Sequence, residues 1–399
     1  MRPIQIYLDS SDFSDLSNIQ NKTPEYKSVL DYLVAMKSRG LINIRFSEAH
    51  VVEAAPTSPA AIPLATGRFN MIKQLCGRNS LIHPIDVIEA EVSRDSTGVH
   101  RQVIVQRNDG TWMPALVNVS ELFPDVEQLA ADDIKKCGRE ERRKYIRNGK
   151  PTTRWYAKIR EANLGEWNMA TNLLPLDTAA VRIVKKYFIG EVSRNDALRA
   201  LNKSITDVEV FGRWYTKDWS SASAMSQHLR EIGAEFKKAL CEARRQFENL
   251  MQNHTAIGED PKKFLNLSMR TFYEVLADSS VQVARDIAES IGAISKPIEN
   301  PWRDAPGLTC ALTLAMHVAR RSVVSQQPRE SKESDFPDAY HAIYLPYVDV
   351  FRADGFTASM LRECKLPFPT VIVEKLLHLP AQIDEILKQR ACDVGRISG

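Results

Sequence analysis

Apolar and polar positions fall into alternating blocks at both ends of the chain. Ile4 to Leu8 form an apolar run that stops on Asp9, too short for a helix and suited to a buried strand. From Thr23 or Pro24 to about Ser38, the residues Tyr26, Val29, Leu30, Leu33 and Met36 recur at helical spacing, and Gly40 follows where a helix end favours glycine. Leu41 to Phe46 is a second strand-like run. Ser47 then suits the N-cap of a short helix that Pro56 stops. Strand, helix, strand, helix in this order predicts a parallel α/β sheet.

The middle of the chain differs. Residues 85–92 and 101–106 read as strands, with a turn at Asn108-Asp109-Gly110. Beyond about 123 the periodicity is helical, over 181–188, 223–253 and 271–291, while Phe211 to Trp219 reads as an aromatic loop. Near the end the α/β pattern returns: helices over 308–322 and 336–344, strands over 347–351 and 370–373, and a closing helix over 379–390 before a tail without evident structure. The expectation is an α/β domain built from residues 1–60 and 305–390, with 61–304 as a mainly helical insertion holding a small β-hairpin.

Composition narrows this only slightly. With 44% hydrophobic and 26% charged residues the chain suits a soluble globular protein. A net charge of +3 gives no overall sign of a polyanion partner, so charge has to be read locally. The cysteines are scattered and none has the spacing of a metal-binding pair, which fits reduced thiols and a cytoplasmic setting. No secretory signal opens the chain, and no apolar run reaches the roughly 18 residues needed to span a bilayer, so no membrane partner is expected.

The candidate chemistry is carboxylate. Asp9 ends the first strand, Asp349 lies in the strand 347–351 and Asp354 follows it, while Asp338 opens a late helix. In an open parallel sheet the carboxyl ends of the strands converge on one crevice, which makes Asp9 and Asp354 neighbours in expectation. Glu48 and Glu53 stand on the helix after the second strand; the first reads as a solvated surface acid. His50 with Glu53, and Asp338 with His341, share i, i+3 spacing. Several carboxylates in one crevice repel unless a cation neutralises them. Their hard oxygens suit Mg²⁺ or Mn²⁺, which can activate water against a phosphodiester.

These end segments resemble PIN-like nuclease domains. The resemblance rests on Ile6-Tyr-Leu-Asp9-Ser-Ser, on Ser47-Glu-Ala-His-Val-Val-Glu53, and on Asp338-Ala-Tyr-His-Ala-Ile-Tyr-Leu-Pro-Tyr-Val-Asp349 running on to Asp354. It does not extend to the middle of the chain. It implies a metal-dependent nuclease, more often acting on RNA than on DNA, and a toxin-like or defence effector role. By the same resemblance Asp9, Asp338 and Asp354 hold the metal, and Glu53 is a ligand or orients the attacking water. Ser10, Asp335, His341 and Asp349 are candidates for supporting positions, Ser10 equally for a helix cap.

Residues 135–160 add a local charge: eleven positions are Lys or Arg, opposed only by Glu140 and Glu141. Phosphate contacts give salt-dependent affinity, so Arg139, Arg142, Arg143, Lys144, Arg147, Lys150, Arg154 and Lys158 are candidate RNA contacts, with Trp155 a candidate stacking surface. Two other functions use the same residues: a catalytically silent nucleic-acid-binding or scaffold protein, and a metal-dependent phosphohydrolase acting on nucleotides. Substrate, oligomeric state and any inhibitor or regulatory partner are not written in the chain.

Overall fold

The computed structural model describes residues 2–92, 104–114, 138–147, 150–157, 174–217, 219–290, 300–325 and 328–397, with Asp125, Gln128, Asp132 and Lys135. In chain order the elements are β1 (Ile4–Tyr7), α1 (Ser10–Ser17), α2 (Pro24–Ser38), β2 (Ile42–Arg45), α3 (Glu48–Ala54), α4 (Ile62–Cys76), β3 (Ser80–Leu81), α5 (Pro84–Val92) and β4 (Gln106–Arg107). There follow α6 (Arg139–Tyr145), β5 (Ile146–Arg147), β6 (Lys150–Pro151), α7 (Thr178–Phe188), α8 (Arg194–Ile205), α9 (Val208–Lys217), α10 (Trp219–Ala256) and α11 (Pro261–Ser290). The last are α12 (Pro301–Asp304), α13 (Pro306–Val323), α14 (Asp335–His341), β7 (Val350–Arg352), α15 (Gly355–Glu363), β8 (Val371–Val373) and α16 (Leu379–Ile397). Among the described residues no helix is long and apolar enough to cross a membrane.

Two compact units divide the chain: Met1–Pro114 with Ala222–Gly399, and Ala115–Ser221. The first carries a parallel four-stranded sheet in the order β2-β1-β7-β8, so the general α/β expectation holds. β1 pairs with β2 from Ile4–Ile42 to Tyr7–Arg45, and with β7 only through Ile6–Val350 and Tyr7–Phe351. Every residue of β1 is buried, as a central parallel strand covered on both faces requires. Around Tyr7 and Phe351, whose rings stack 5.3 Å apart, the core gathers Leu314 and Val318 of α13 with Ile343, Tyr344 and Leu345. The close approach of α13 to that last segment needs Gly307, where a Cβ would stand 2.5 Å from the Ile343 carbonyl.

One buried cation stitches the sheet to the antiparallel β3–β4 pair, whose strands are separated in the chain by α5. Arg45 is 2% exposed and donates to Gln5 Oε1 (2.6 Å), the carbonyls of Ser80 (3.2 Å) and Arg107 (2.8 Å), and Asn108 Oδ1 (3.1 Å). Burial pulls its pKa down to about 10.

Several local expectations are corrected. Residues 85–92 are helix, not strand: Pro84 presets the first turn, Asp86 suits its positive end, and burial of Pro84, Val87, Glu91 and Val92 follows helical spacing. Glu91 hides that pattern in the sequence because it is a buried acid, accepting from the amides of Gly307 and Leu308 at the start of α13 (2.6 and 3.1 Å). The aromatic segment near Phe211 is helix α9, with Val208, Phe211, Gly212 and Tyr215 on its buried face. The strand expected over 347–351 is β7, and the closing helix continues to Ile397.

In the second unit α7 packs on α8 and α8 on α9. Asp177 caps α7 by accepting from the amide of Ala180 at 2.6 Å. The β5–β6 hairpin follows α6 directly, with Ile146 opposite Pro151 and Arg147 opposite Lys150.

Candidate active site

The sheet order changes direction between β1 and β7: the chain moves outward from β1 to β2, then returns to the other side of β1 for β7 and β8. The carboxyl ends of strands flanking such a reversal are where open α/β sheets bind ligands. Asp9 and Asp354 leave the sheet at this place.

Both are helix caps. Asp9 Oδ1 accepts from the amide of Ser11 at 2.7 Å and starts α1, and Asp12 closes a capping box by accepting from the Asp9 amide at 3.0 Å. Asp354 Oδ1 accepts from the amide of Thr357 at 2.6 Å and starts α15. The Asp9 side chain also accepts from the Asp12 amide as part of that box, while Asp354 Oδ2 has no hydrogen bond among the described residues. This explains the run of acids and hydroxyls after the first strand: it is a helix start, which the turn-like composition of Ser10, Ser11 and Asp12 conceals.

Asp338 lies in α14 and makes no side-chain hydrogen bond among the described residues. Burial holds its carboxyl well above the usual range, and the negative charges of Asp354, Asp9 and Glu53 push the same way. Asp338 therefore feels three other acids, from the starts of α1 and α15 and from α3.

Glu53 has a cationic partner. His341 Nε2 donates to Glu53 Oε2 at 3.1 Å. Burial works against both charges, but the pairing prevails: the Glu53 carboxyl is held below its usual range by His341 and Ser10, and His341 is held above its own by Glu53, then Asp9 and Asp338. From His341 a buried relay runs inward. Its Nδ1 lies 2.6 Å from the Tyr7 hydroxyl, which lies 2.7 Å from Ser47 Oγ. The Ser47 amide donates to His50 Nδ1 (3.0 Å), and His50 Nε2 donates to the Leu8 carbonyl (2.9 Å), one residue before Asp9. His50 is thus a neutral imidazole, its pKa pulled down to about 3 by burial. The i, i+3 spacings of the sequence join neither pair: His50 caps its own helix, and His341 reaches across to α3.

The remaining candidates divide. Ser10 is close enough to Glu53 to lower the pKa of its carboxyl, but its buried Oγ makes no hydrogen bond among the described residues. Asp335 is buried in a two-pronged pair with Arg329 (2.8 and 2.8 Å) and accepts from the Lys332 amide, so it anchors the segment leading into α14. Asp349 is displaced from the site. Residues 342–347 wind as a 3-10 helix, β7 starts late, and Asp349 lies at its amino end, opposite Asp354, held by Arg2 (2.9 Å), Arg390 (2.6 Å) and the Gln5 amide (2.8 Å).

In the second unit Arg139, Arg143, Lys144, Arg147 and Arg154 are exposed. Arg142 belongs to α6 and Lys150 to β6, and Lys158 lies outside the described residues. Trp155 is 1% exposed and meets Tyr156 edge-on, so it is a core side chain and not a stacking surface.

Sequence reasoning missed two features. Glu48 is no surface acid: it is largely buried, accepts from the Tyr340 hydroxyl at 3.4 Å, faces His83 at 4.0 Å, and burial pushes it up to about 7. Asp12 pairs with Arg352 at 2.9 Å beneath the site. Burial outweighs that cation and pushes Asp12 up to about 8.

The donors suit a hard divalent ion in kind, because mutually repelling carboxylates with oxygens to spare are what such an ion neutralises. A ready-made cage of three or more His, Cys, Asp or Glu is absent among the described residues. Comparison of the chain with family models, curated proteins and solved structures returns no match.

Proposed function

We propose that the protein is a PIN-like, metal-dependent nuclease that hydrolyses phosphodiester bonds in RNA, with a toxin-like or defence role. The observation that carries this reading is the opposition of Asp338 to Asp9, Asp354 and Glu53 at the carboxyl edge of the reversed sheet. Burial and the charges of Asp354, Asp9 and Glu53 all disfavour the ionised form of Asp338; a bound cation would turn that repulsion into affinity. Asp9, Asp338 and Asp354 would hold Mg²⁺ or Mn²⁺. The ion would supply Lewis acidity that lowers the pKa of water and stabilises charge developing on phosphate.

The chain's own groups supply the rest. Glu53, kept ionised by His341, orients the attacking water. His341 fixes the Glu53 carboxylate, and the relay through Tyr7 and Ser47 fixes His341. The exposed cations of the second unit supply phosphate contacts without base specificity.

The test is cleavage of a panel of transfer RNA, single-stranded RNA, and single- and double-stranded DNA with Mn²⁺ or Mg²⁺, beside EDTA and the Asp9→Asn and Asp354→Asn proteins. Metal-dependent cutting of RNA, lost in both variants, is the expected result. Cutting that survives in both variants would overturn the assignment of these acids. A folded protein that binds RNA but never cuts it would point to the silent binding function.

A further inference from the structure

We propose that Arg352 and Asp12 form a positioning pair that sets the spacing of Asp9 and Asp354. The proposal rests on the reading of those two acids as metal ligands. The β1–β7 ladder ends at Tyr7 and Phe351. Beyond it no backbone ladder joins Asp9 to Asp354, although Ala353 still donates to the Val373 carbonyl of β8 at 3.1 Å. Arg352, the last residue of β7, spans this gap. One guanidinium nitrogen meets Asp12 Oδ1 at 2.9 Å, and another donates to the Ala353 carbonyl, one residue before Asp354. The other Asp12 oxygen accepts from the Asp9 amide at 3.0 Å. One ion pair thus touches the backbone beside both acids.

The pair is enclosed, with side chains 1% exposed for Asp12 and 10% for Arg352. Enclosed ion pairs add little to stability over apolar residues of similar shape, because desolvating both charges offsets their attraction. Planar geometry is what this one offers: a rigid fork with one nitrogen beside Asp12 Oδ1 and another on the Ala353 carbonyl, where a lysine would place a single point charge on a flexible stem. Neither group touches the reacting atoms in this scheme. They act through Asp9 and Asp354, as groups behind metal ligands do, where their loss costs about 10- to 100-fold in metal affinity.

The experiment compares the full chain with Asp12→Asn/Arg352→Met, which removes both charges together and keeps an amide oxygen for the Asp9 N–H. Asp9→Asn is the control. Mn²⁺ affinity is read by calorimetry. In EDTA, melting temperature and amide hydrogen exchange over 353–357 are read without metal. The expected result is a near-normal melting temperature, Mn²⁺ affinity lowered at least tenfold, and exchange over 353–357 raised at least tenfold. A double variant that melts, binds Mn²⁺ and exchanges like the parent overturns the positioning role. If Asp9→Asn binds Mn²⁺ as the parent does, the metal-ligand reading fails, while unchanged exchange in EDTA is the separate sign that the pair holds nothing in place.

Discussion

The contact between His341 and Glu53 makes a prediction with a definite sign in pH. The perturbation is a double-mutant cycle of His341→Gln and Glu53→Gln, read by urea unfolding in EDTA. A hydrogen bond between charged groups contributes roughly 1.5–3 kcal/mol net. The Glu53 side chain is 26% exposed and His341 10%, so solvent screening favours the low end, and about 1.5 kcal/mol of coupling is expected. That is roughly a tenfold change in the folding equilibrium. His341 is raised in the folded state, so its share is complete below its unfolded pKa of about 6.5 and fades as pH rises through the raised folded value. Glu53 is lowered, so its share is complete above about 4.3 and is lost as pH falls through the lowered folded value. Coupling should therefore peak between about pH 4.5 and 6.5 and be smaller at pH 9. A cycle that gives no coupling at pH 5.5, or more coupling at pH 9, refutes the account of Glu53 as an anion held by an imidazolium.

Three further outcomes follow from the same geometry. Asp338→Asn should stabilise the metal-free protein by about 1 kcal/mol near neutral pH, with the gain vanishing only below about pH 4, where the carboxyl is protonated in the unfolded chain as well, while Mn²⁺ affinity collapses; thermal melts with EDTA and with Mn²⁺ check both halves. Arg45→Met strands the acceptors on Gln5, Ser80, Arg107 and Asn108, and at about 1 kcal/mol for each should cost roughly 3–4 kcal/mol in urea unfolding. Changing Arg143, Lys144 and Arg147 together to Gln should weaken RNA binding and lower the slope of log affinity against log salt by about 2, measured by fluorescence anisotropy at several salt concentrations, without changing the melting temperature.

The sheet was legible because its strands carry their own signature. Ile4–Leu8 and Leu41–Phe46 are largely buried runs that end on the polar residues Asp9 and Ser47, and helix α2 before the second starts at a proline and ends before a glycine of positive φ. The failures share a cause. Helix α1 begins with Ser10, Ser11 and Asp12, which favour turns, and only the capping box of Asp9 and Asp12 with the burial of Phe13 and Leu16 makes it a helix. In α5 a buried Glu91 interrupts the apolar stripe, because its partners are amides more than two hundred residues away. Trp155 looked like a stacking surface because neighbouring charges say nothing of which way a ring faces.

The acids at the site were legible for a related reason. A carboxylate that caps a helix must occupy one position relative to the strand before it, so Asp9 and Asp354 leave a mark in the one-dimensional pattern. The cap also aims the acid, since one oxygen taken by a backbone amide leaves the other oriented by the helix start and not by a mobile side chain. What supports such an acid has no such constraint. Arg352 ends a strand and Asp12 sits in a helical turn, positions where almost any residue is acceptable, and only the parallel pairing of β1 with β7 brings them together. The same holds for Tyr7 and Ser47, which two different elements supply to the relay that ends on His341. Residues fixed by local backbone geometry could be named from the chain; residues fixed by long-range pairing could not, and those are the ones that determine how tightly the acids are held.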